Sequence, residues 1–245
     1  MFISTGVSLL GAQPSGGGLP NVPTNNLKLW WDAGEPTSYP GSGTTVTDIS
    51  GNGNNGTLIN NAVFTGSNGG GWHLPAGNDE VDIVGNFLNS TKNWSACVFA
   101  DFTGGSYDRI WSGLMNGDSG DLAVATSTAA RMIGSGGAQG YWNNLPVGSF
   151  DSNVLNMYTY QCDNSNPFLR QFWKNKTQYT VFNATASATN QIEAVEGFSF
   201  GGYDQLPGNN GCTGIAYVAL VYDRQLTQTD VDQIYNAYKT RLGLP

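Results

Sequence analysis

The chain has 245 residues and a mass of 26.0 kDa, a length that one all-β sandwich domain commonly reaches. Ten basic residues against 18 acidic ones leave a net charge of −8, which argues against a nucleic-acid-binding face, since that affinity comes from Lys and Arg on phosphates. Charged residues are only 11% and glycines number 34; this composition disfavours long surface helices and suits short strands joined by Gly/Asn turns, and no apolar run approaches the ~18 residues that would suggest a membrane span.

The first stretch, residues 1–26, contains no charged residue. It lacks the positive n-region of a secretory signal, so no signal is expected. Its apolar residues Phe2, Ile3, Val7, Leu9 and Leu10 precede a run of Gly and Pro. Such a segment cannot fold alone. It reads as an extended arm that orders only when its own domain or a neighbouring subunit holds it, and the expectation is inter-subunit attachment.

From Leu27 the pattern changes to period two. Leu27, Leu29 and Trp31 alternate with Lys28, Trp30 and Asp32, so the adjacent tryptophans must face opposite ways. Residues 94–102 (WSACVFADF) read as a buried strand. In residues 154–162, Leu155, Met157, Thr159 and Gln161 lie opposite Val154, Asn156, Tyr158, Tyr160 and Cys162. Residues 168–173 and 178–182 fit a hairpin across Lys174–Thr177, and residues 214–222 (GIAYVALVY) form a near-continuous apolar strand. Gly/Asn clusters separate these runs. More than ten strands of this kind imply a two-sheet antiparallel sandwich.

One helix is expected, at the C-terminus. Thr227 with Asp230 three residues on gives a capping-box start. Val231, Ile234, Tyr235, Tyr238 and Leu242 make one apolar stripe, Lys239 and Arg241 suit the last turn, and Gly243 supplies the stop. The helix is expected to plug a sandwich edge.

Three stretches carry a family resemblance: residues 27–45 (LKLWWDAGEPTSYPGSGTT), residues 47–58 (TDISGNGNNGTL), and Gly201–Tyr203 through Tyr222-Asp-Arg-Gln-Leu-Thr227 and the closing helix. Over roughly 215 residues their order resembles the laminin-G / concanavalin-A-like family, in the form found in bacteriophage structural proteins and some bacterial surface proteins. The resemblance implies an all-β, two-sheet antiparallel jelly-roll sandwich over 27–245, with one C-terminal helix and an extended N-terminal arm over 1–26. It does not fix function, because lectins, hydrolases and structural modules share this fold. The Asp48–Gly56 loop is read as structural, its Asp and Ser bonding backbone amides, rather than as a ligand loop.

Candidates for chemistry are few. Glu80-Val-Asp82 resembles the start of the E-x-D-x-x-E signature of laminarinase-type glycosidases. The position of the second glutamate holds Asn86 or, without the extra residue, Val84 or Gly85, none of which transfers a proton. Glu80 and Asp82 are therefore expected on a solvated edge strand as gatekeeping charges. The sole histidine, His73, beside Trp72, is expected to be packed or on the surface, and no Gly-x-Ser-x-Gly elbow is present. The three cysteines, Cys97, Cys162 and Cys212, read as buried side chains, with one disulfide and a spare thiol as the alternative. Asp118 and Asp121, in a Gly/Asp turn, are weak calcium candidates; no other cofactor is implied. Tyr141-Trp142 and Tyr203-Asp204 could stack and bond sugars, or could fill the core.

Taken together, these readings imply a non-enzymatic structural protein of a virion. The expected role is a capsid decoration or cement protein on the outer surface of the particle. It would be held by its arm to a major capsid or tail protein, with self-association as a homo-oligomer. The alternative is a carbohydrate-binding, lectin-like module of a phage tail appendage or fibre, with a host-surface glycan as partner. Neither nucleic acid nor membrane is an expected partner.

Overall fold

The computed structural model describes residues 18–89, 93–104, 108–115, 118–126, 128–134, 141–163, 169–183, 194–202 and 211–245; within some strands only the backbone is described. They build two eight-stranded sheets in which every strand pairing is antiparallel. Sheet A runs β14 (Thr177–Asn183), β13 (Leu169–Lys174), β12 (Asn156–Asp163), β7 (Asn93–Thr103), β16 (Thr213–Tyr222), β5 (Gly71–Leu74), β4 (Val63–Thr65), with β1 (Leu27–Asp32) also on β16. Sheet B runs β11 (Tyr141–Asn144), β10 (Ala129–Gly134), β9 (Asp118–Thr126), β8 (Arg109–Met115), β15 (Ala194–Phe200), β6 (Glu80–Asn89), β3 (Gly56–Ile59), β2 (Thr45–Val46). The sandwich expected from turn punctuation and alternation is the architecture found.

Alternation decides what each strand buries. In β7, Trp94, Ala96, Val98, Ala100 and Phe102 enter the space between the sheets, while Cys97 and Phe99 face outward. In β1, Trp31 joins the inter-sheet core and Trp30 the outer layer, as two adjacent strand residues must. Aromatic rings organise the interior. Trp111 stacks on Phe198 at 5.7 Å and 26°, and Trp94 meets Trp111 nearly edge-on at 5.5 Å. Each such pair contributes about 0.5–1.5 kcal/mol beyond its area burial.

The helix α1 (Gln228–Leu242) has the predicted punctuation. The Thr227 side chain accepts from Asp230 N, the Asp230 side chain accepts from Thr227 N, and Gly243 closes the helix at φ 67°. Its predicted apolar stripe is buried. Its position differs from the expected edge plug: the stripe packs on Trp30, Phe99, Trp173, Tyr217, Val218, Leu220 and Tyr222, so α1 lies across the outer face of sheet A. The reason is legible in β16, which is apolar on both faces and so needs a cover on each. Two polar contacts fix the helix over β1: Trp30 Nε1 donates to Tyr238 Oη at 2.8 Å, and Arg241 pairs with the fully buried Asp32 at 2.7 Å. Among the described residues, no helix is long and apolar enough to cross a membrane.

Candidate functional site

Four places were open to chemistry: the Glu80/Asp82 strand, the Asp48–Gly56 loop, the calcium and thiol candidates, and the helix surface beside the arm. The strand is a correction to the sequence reading. β6 lies between β15 and β3, so it is no edge, and both Glu80 and Asp82 are buried. Val81 faces the inter-sheet core, so the carboxylates occupy the opposite face of sheet B. Register aligns Thr57, Asp82, Ser199, Ser112 and Asp121 in one cross-strand row.

The backbone at Gly202 lies over part of this face, at Glu80 and Ser112. The Ser199 hydroxyl donates to Glu80 Oε2, and Ser112 Oγ donates to the Gly202 carbonyl at 3.2 Å. A Cβ on Gly202 would sit 2.2 Å from Glu80 Oε2, so only glycine lets the chain lie this close over the carboxylate. Arg109 is buried as well, and Gly211 bridges to it. Charges stay in this interior because they are hydrogen-bonded, which a lone reading of Glu-x-Asp as surface gatekeepers does not foresee. The next position of the same face in an unbroken strand is Val84, opposite Gly197. The second acid of a glycosidase pair is therefore missing at that place.

The Asp48–Gly56 loop is a substitute strand. Asp48 Oδ1 accepts from Trp30 N at 2.9 Å, and Ile49 N donates to the Trp30 carbonyl at 3.0 Å. Asn54 Nδ2 donates to the Lys28 carbonyl, and Asn52 Nδ2 donates to the Leu27 carbonyl. These bonds satisfy the free side of β1, so the loop's polar groups are spent on backbone. The sequence reading of a structural loop agrees with this geometry.

Asp118 and Asp121 lie in β9, opposite Met115 and Ser112, rather than in the expected turn; their side chains fall outside the described residues. Among the described residues, no group of His, Cys, Asp and Glu is arranged to hold a metal ion. His73 is exposed on β5. Cys97 and Cys212 are buried free thiols, while the Cys162 side chain is outside the described set. Burial pushes the Cys97 thiol up to about 12 and Cys212 well above its usual range, so neither is a nucleophile. The arm residues Phe2, Ile3, Val7, Leu9 and Leu10, and the side chains of Tyr141, Trp142, Tyr203 and Asp204, lie outside the described residues.

The fourth place was not anticipated. The segment leading into β1 crosses α1, with Val22 buried and Gln233 Nε2 donating to the Asn21 carbonyl at 3.1 Å. Beside this crossing lies a groove of about 460 Å³, lined by Asn21, Thr229, Asp232, Gln233, Asn236 and Ala237. Among the described residues its walls carry amides, a hydroxyl and one carboxylate, and no cation. The signal was present in the sequence: Thr229, Asp232/Gln233 and Asn236 recur at i, i+3/i+4 and i+7, the polar counterpart of the buried stripe.

No family model matches the chain, and no curated protein does. Solved structures do, and they define the class: a β-sandwich of the fold found in bacterial-toxin receptor-binding domains. The receptor-binding domain of botulinum neurotoxin D aligns with a TM-score of 0.64 at 12% identity, over 87% of this chain and 53% of its own. The serotype D ligand-binding domain in complex with N-acetylneuraminic acid gives 0.63 at 12%, over 87% and 51%. The binding domain of neurotoxin DC in complex with SialylT gives 0.65 at 10%, over 88% and 52%. At these identities the likeness is one of fold, and this chain spans about half the length of each. These neighbours are receptor-binding rather than catalytic domains.

Proposed function

We propose that the chain is a non-catalytic carbohydrate-binding module. The observation that carries this reading is the groove between the arm crossing and α1, with its amide, hydroxyl and carboxylate side chains, on a fold whose solved neighbours include sugar-bound receptor-binding domains. Its volume suits a small oligosaccharide. Asn, Gln, Asp and Thr side chains supply the paired donors and acceptors that sugar hydroxyls need. With one carboxylate and no cation in the lining, the groove fits neutral hexose hydroxyls better than a sialic-acid carboxylate, and the chain's net charge of −8 points the same way. A glycan array followed by calorimetric titration tests this. Neutral glycans are expected to bind saturably, with Asp232→Ala/Asn236→Ala lowering affinity about ten-fold, equal to roughly 1.4 kcal/mol. A chain that retains nothing on the array overturns the reading.

A second reading, a virion outer-surface protein of the decoration type, is supported by the charge-free arm over 1–26. Deleting that arm is then expected to leave a folded body that no longer attaches to particles. Unimpaired attachment counts against it.

A further inference from the structure

Gln228 opens α1 one turn before Asp232, the carboxylate on the groove wall. Three hydrogen bonds hold its side-chain amide. Trp173 Nε1 donates to Gln228 Oε1 at 2.9 Å, while Gln228 Nε2 donates to the Lys176 carbonyl at 3.0 Å and to Asp232 Oδ1 at 2.9 Å. All three partners agree on one orientation of the amide. An indole N–H only donates, and a backbone carbonyl and a carboxylate only accept, so turning the amide over would lose every one of these bonds. Both N–H donors of the amide are thereby committed.

A Gln–Asp pair at i, i+4 is by itself an ordinary staple on a helix surface. This one differs because its anchor lies off the helix. Trp173 is a buried residue of β13 in the layer that α1 covers, and Lys176 stands in the turn between β13 and β14. The amide therefore carries the fixed position of sheet A to the groove wall. We propose that Gln228 is the positioning residue of the groove: held by Trp173 and Lys176, it presets Asp232 as an acceptor for ligand hydroxyls. A carboxylate held at Oδ1 has given up its side-chain freedom before a ligand arrives, so a ligand that bonds it is spared that ordering cost. Because a carboxylate only accepts, a preset Asp232 calls for an O–H donor and disfavours an anion. The proposal rests on the carbohydrate reading and deepens it.

Calorimetric titration of the full chain with lactose, maltose and mannobiose tests it, in a cycle of the parent, Gln228→Ala, Asp232→Ala and the double variant. Gln228→Ala is expected to weaken binding about five-fold in the parent. In the Asp232→Ala background it adds no loss, because a residue that acts through Asp232 then has nothing to position. Gln228→Glu keeps an acceptor for Trp173 but sets a second carboxylate against Asp232, and is expected to weaken binding at least as much while its urea midpoint stays near that of the parent. The indole N–H resonance of Trp173 is expected to shift at saturation in the parent and to stay in place in Gln228→Ala. Equal losses in both backgrounds overturn the proposal, since Gln228 then acts on the ligand or on the fold directly. So does a Trp173 resonance that saturation leaves unmoved. A parent that binds while Gln228→Ala binds equally well overturns the positioning alone. A parent that binds none of the three sugars overturns the carbohydrate reading, and this proposal with it.

Discussion

Asp48 stands where a neighbouring strand would stand for Trp30. Its Oδ1 accepts from the Trp30 amide at 2.9 Å and from Ser50 N at 2.9 Å, while Oδ2 accepts from Asn54 N at 2.9 Å and Ser50 Oγ at 2.8 Å. One carboxylate thus closes the loop on itself and caps the sheet. Asp48→Ala is expected to cost about 2–4 kcal/mol, since it leaves buried donors without acceptors. Urea denaturation measures this. A loss below about 1 kcal/mol would show that the loop merely lies beside β1.

The Asp32–Arg241 pair ties the last turn of α1 to the end of β1. Burial raises the Asp32 carboxyl above its usual range despite the Arg241 guanidinium at 2.7 Å. A folded pKa above the unfolded one means that ionising Asp32 costs stability as pH rises from the unfolded value toward the folded one. Arg241→Met removes the compensating charge and is expected to destabilise by about 3–5 kcal/mol at neutral pH, and by less in acid, where Asp32 is protonated. Equal losses at pH 4 and pH 7 would separate the helix contact from the charge.

The thiols give a chemical check of the core. Cys97 lies against the Thr159 hydroxyl at 2.9 Å on the helix-covered face, and Cys212 lies in the inter-sheet core. Both are expected to resist a thiol reagent in the native state and to react once denatured. Native labelling of more than one thiol per chain contradicts this packing, because Cys162 alone stands outside the described side chains.

How much of this was legible in the sequence follows from physical type. β7, β12, the β13–β14 hairpin, β16 and α1 could be read because alternation, apolar runs and caps are local signals. The hairpin turn is where it was expected, with Asn175 at φ 55° between paired Lys174 and Thr177. β6 was misread. Glu80 and Asp82 look solvent-facing until Ser199, Ser112 and Gly202, at least 30 residues away, are brought beside them, and no local pattern announces that. The helix position was misread for a similar reason: a stripe shows which face of a helix is buried but not which sheet face receives it. The groove is a property of two distant segments, Asn21 and residues 229–237, and only its helical half had a signal.

Asp230 links helix capping to acid stability. Arg224 grips it with both arms, at 2.8 and 3.0 Å, and Thr227 donates to it through its amide and its hydroxyl, each at 2.8 Å. Chiefly through the Arg224 bonds, its carboxyl is held down to about 2. A depressed folded pKa contributes stability that is fully present above the ordinary carboxylate value and is lost as pH falls through that of the folded state. Asp230→Asn is therefore expected to cost about 1–2 kcal/mol at pH 7. The gap between variant and parent should narrow steadily between about pH 4 and pH 2 and nearly close at the bottom of that window. Denaturant midpoints taken across it decide the matter: a gap that stays constant down to pH 2 would mean that the side chain acts through shape alone, and that Arg224 adds nothing to the cap.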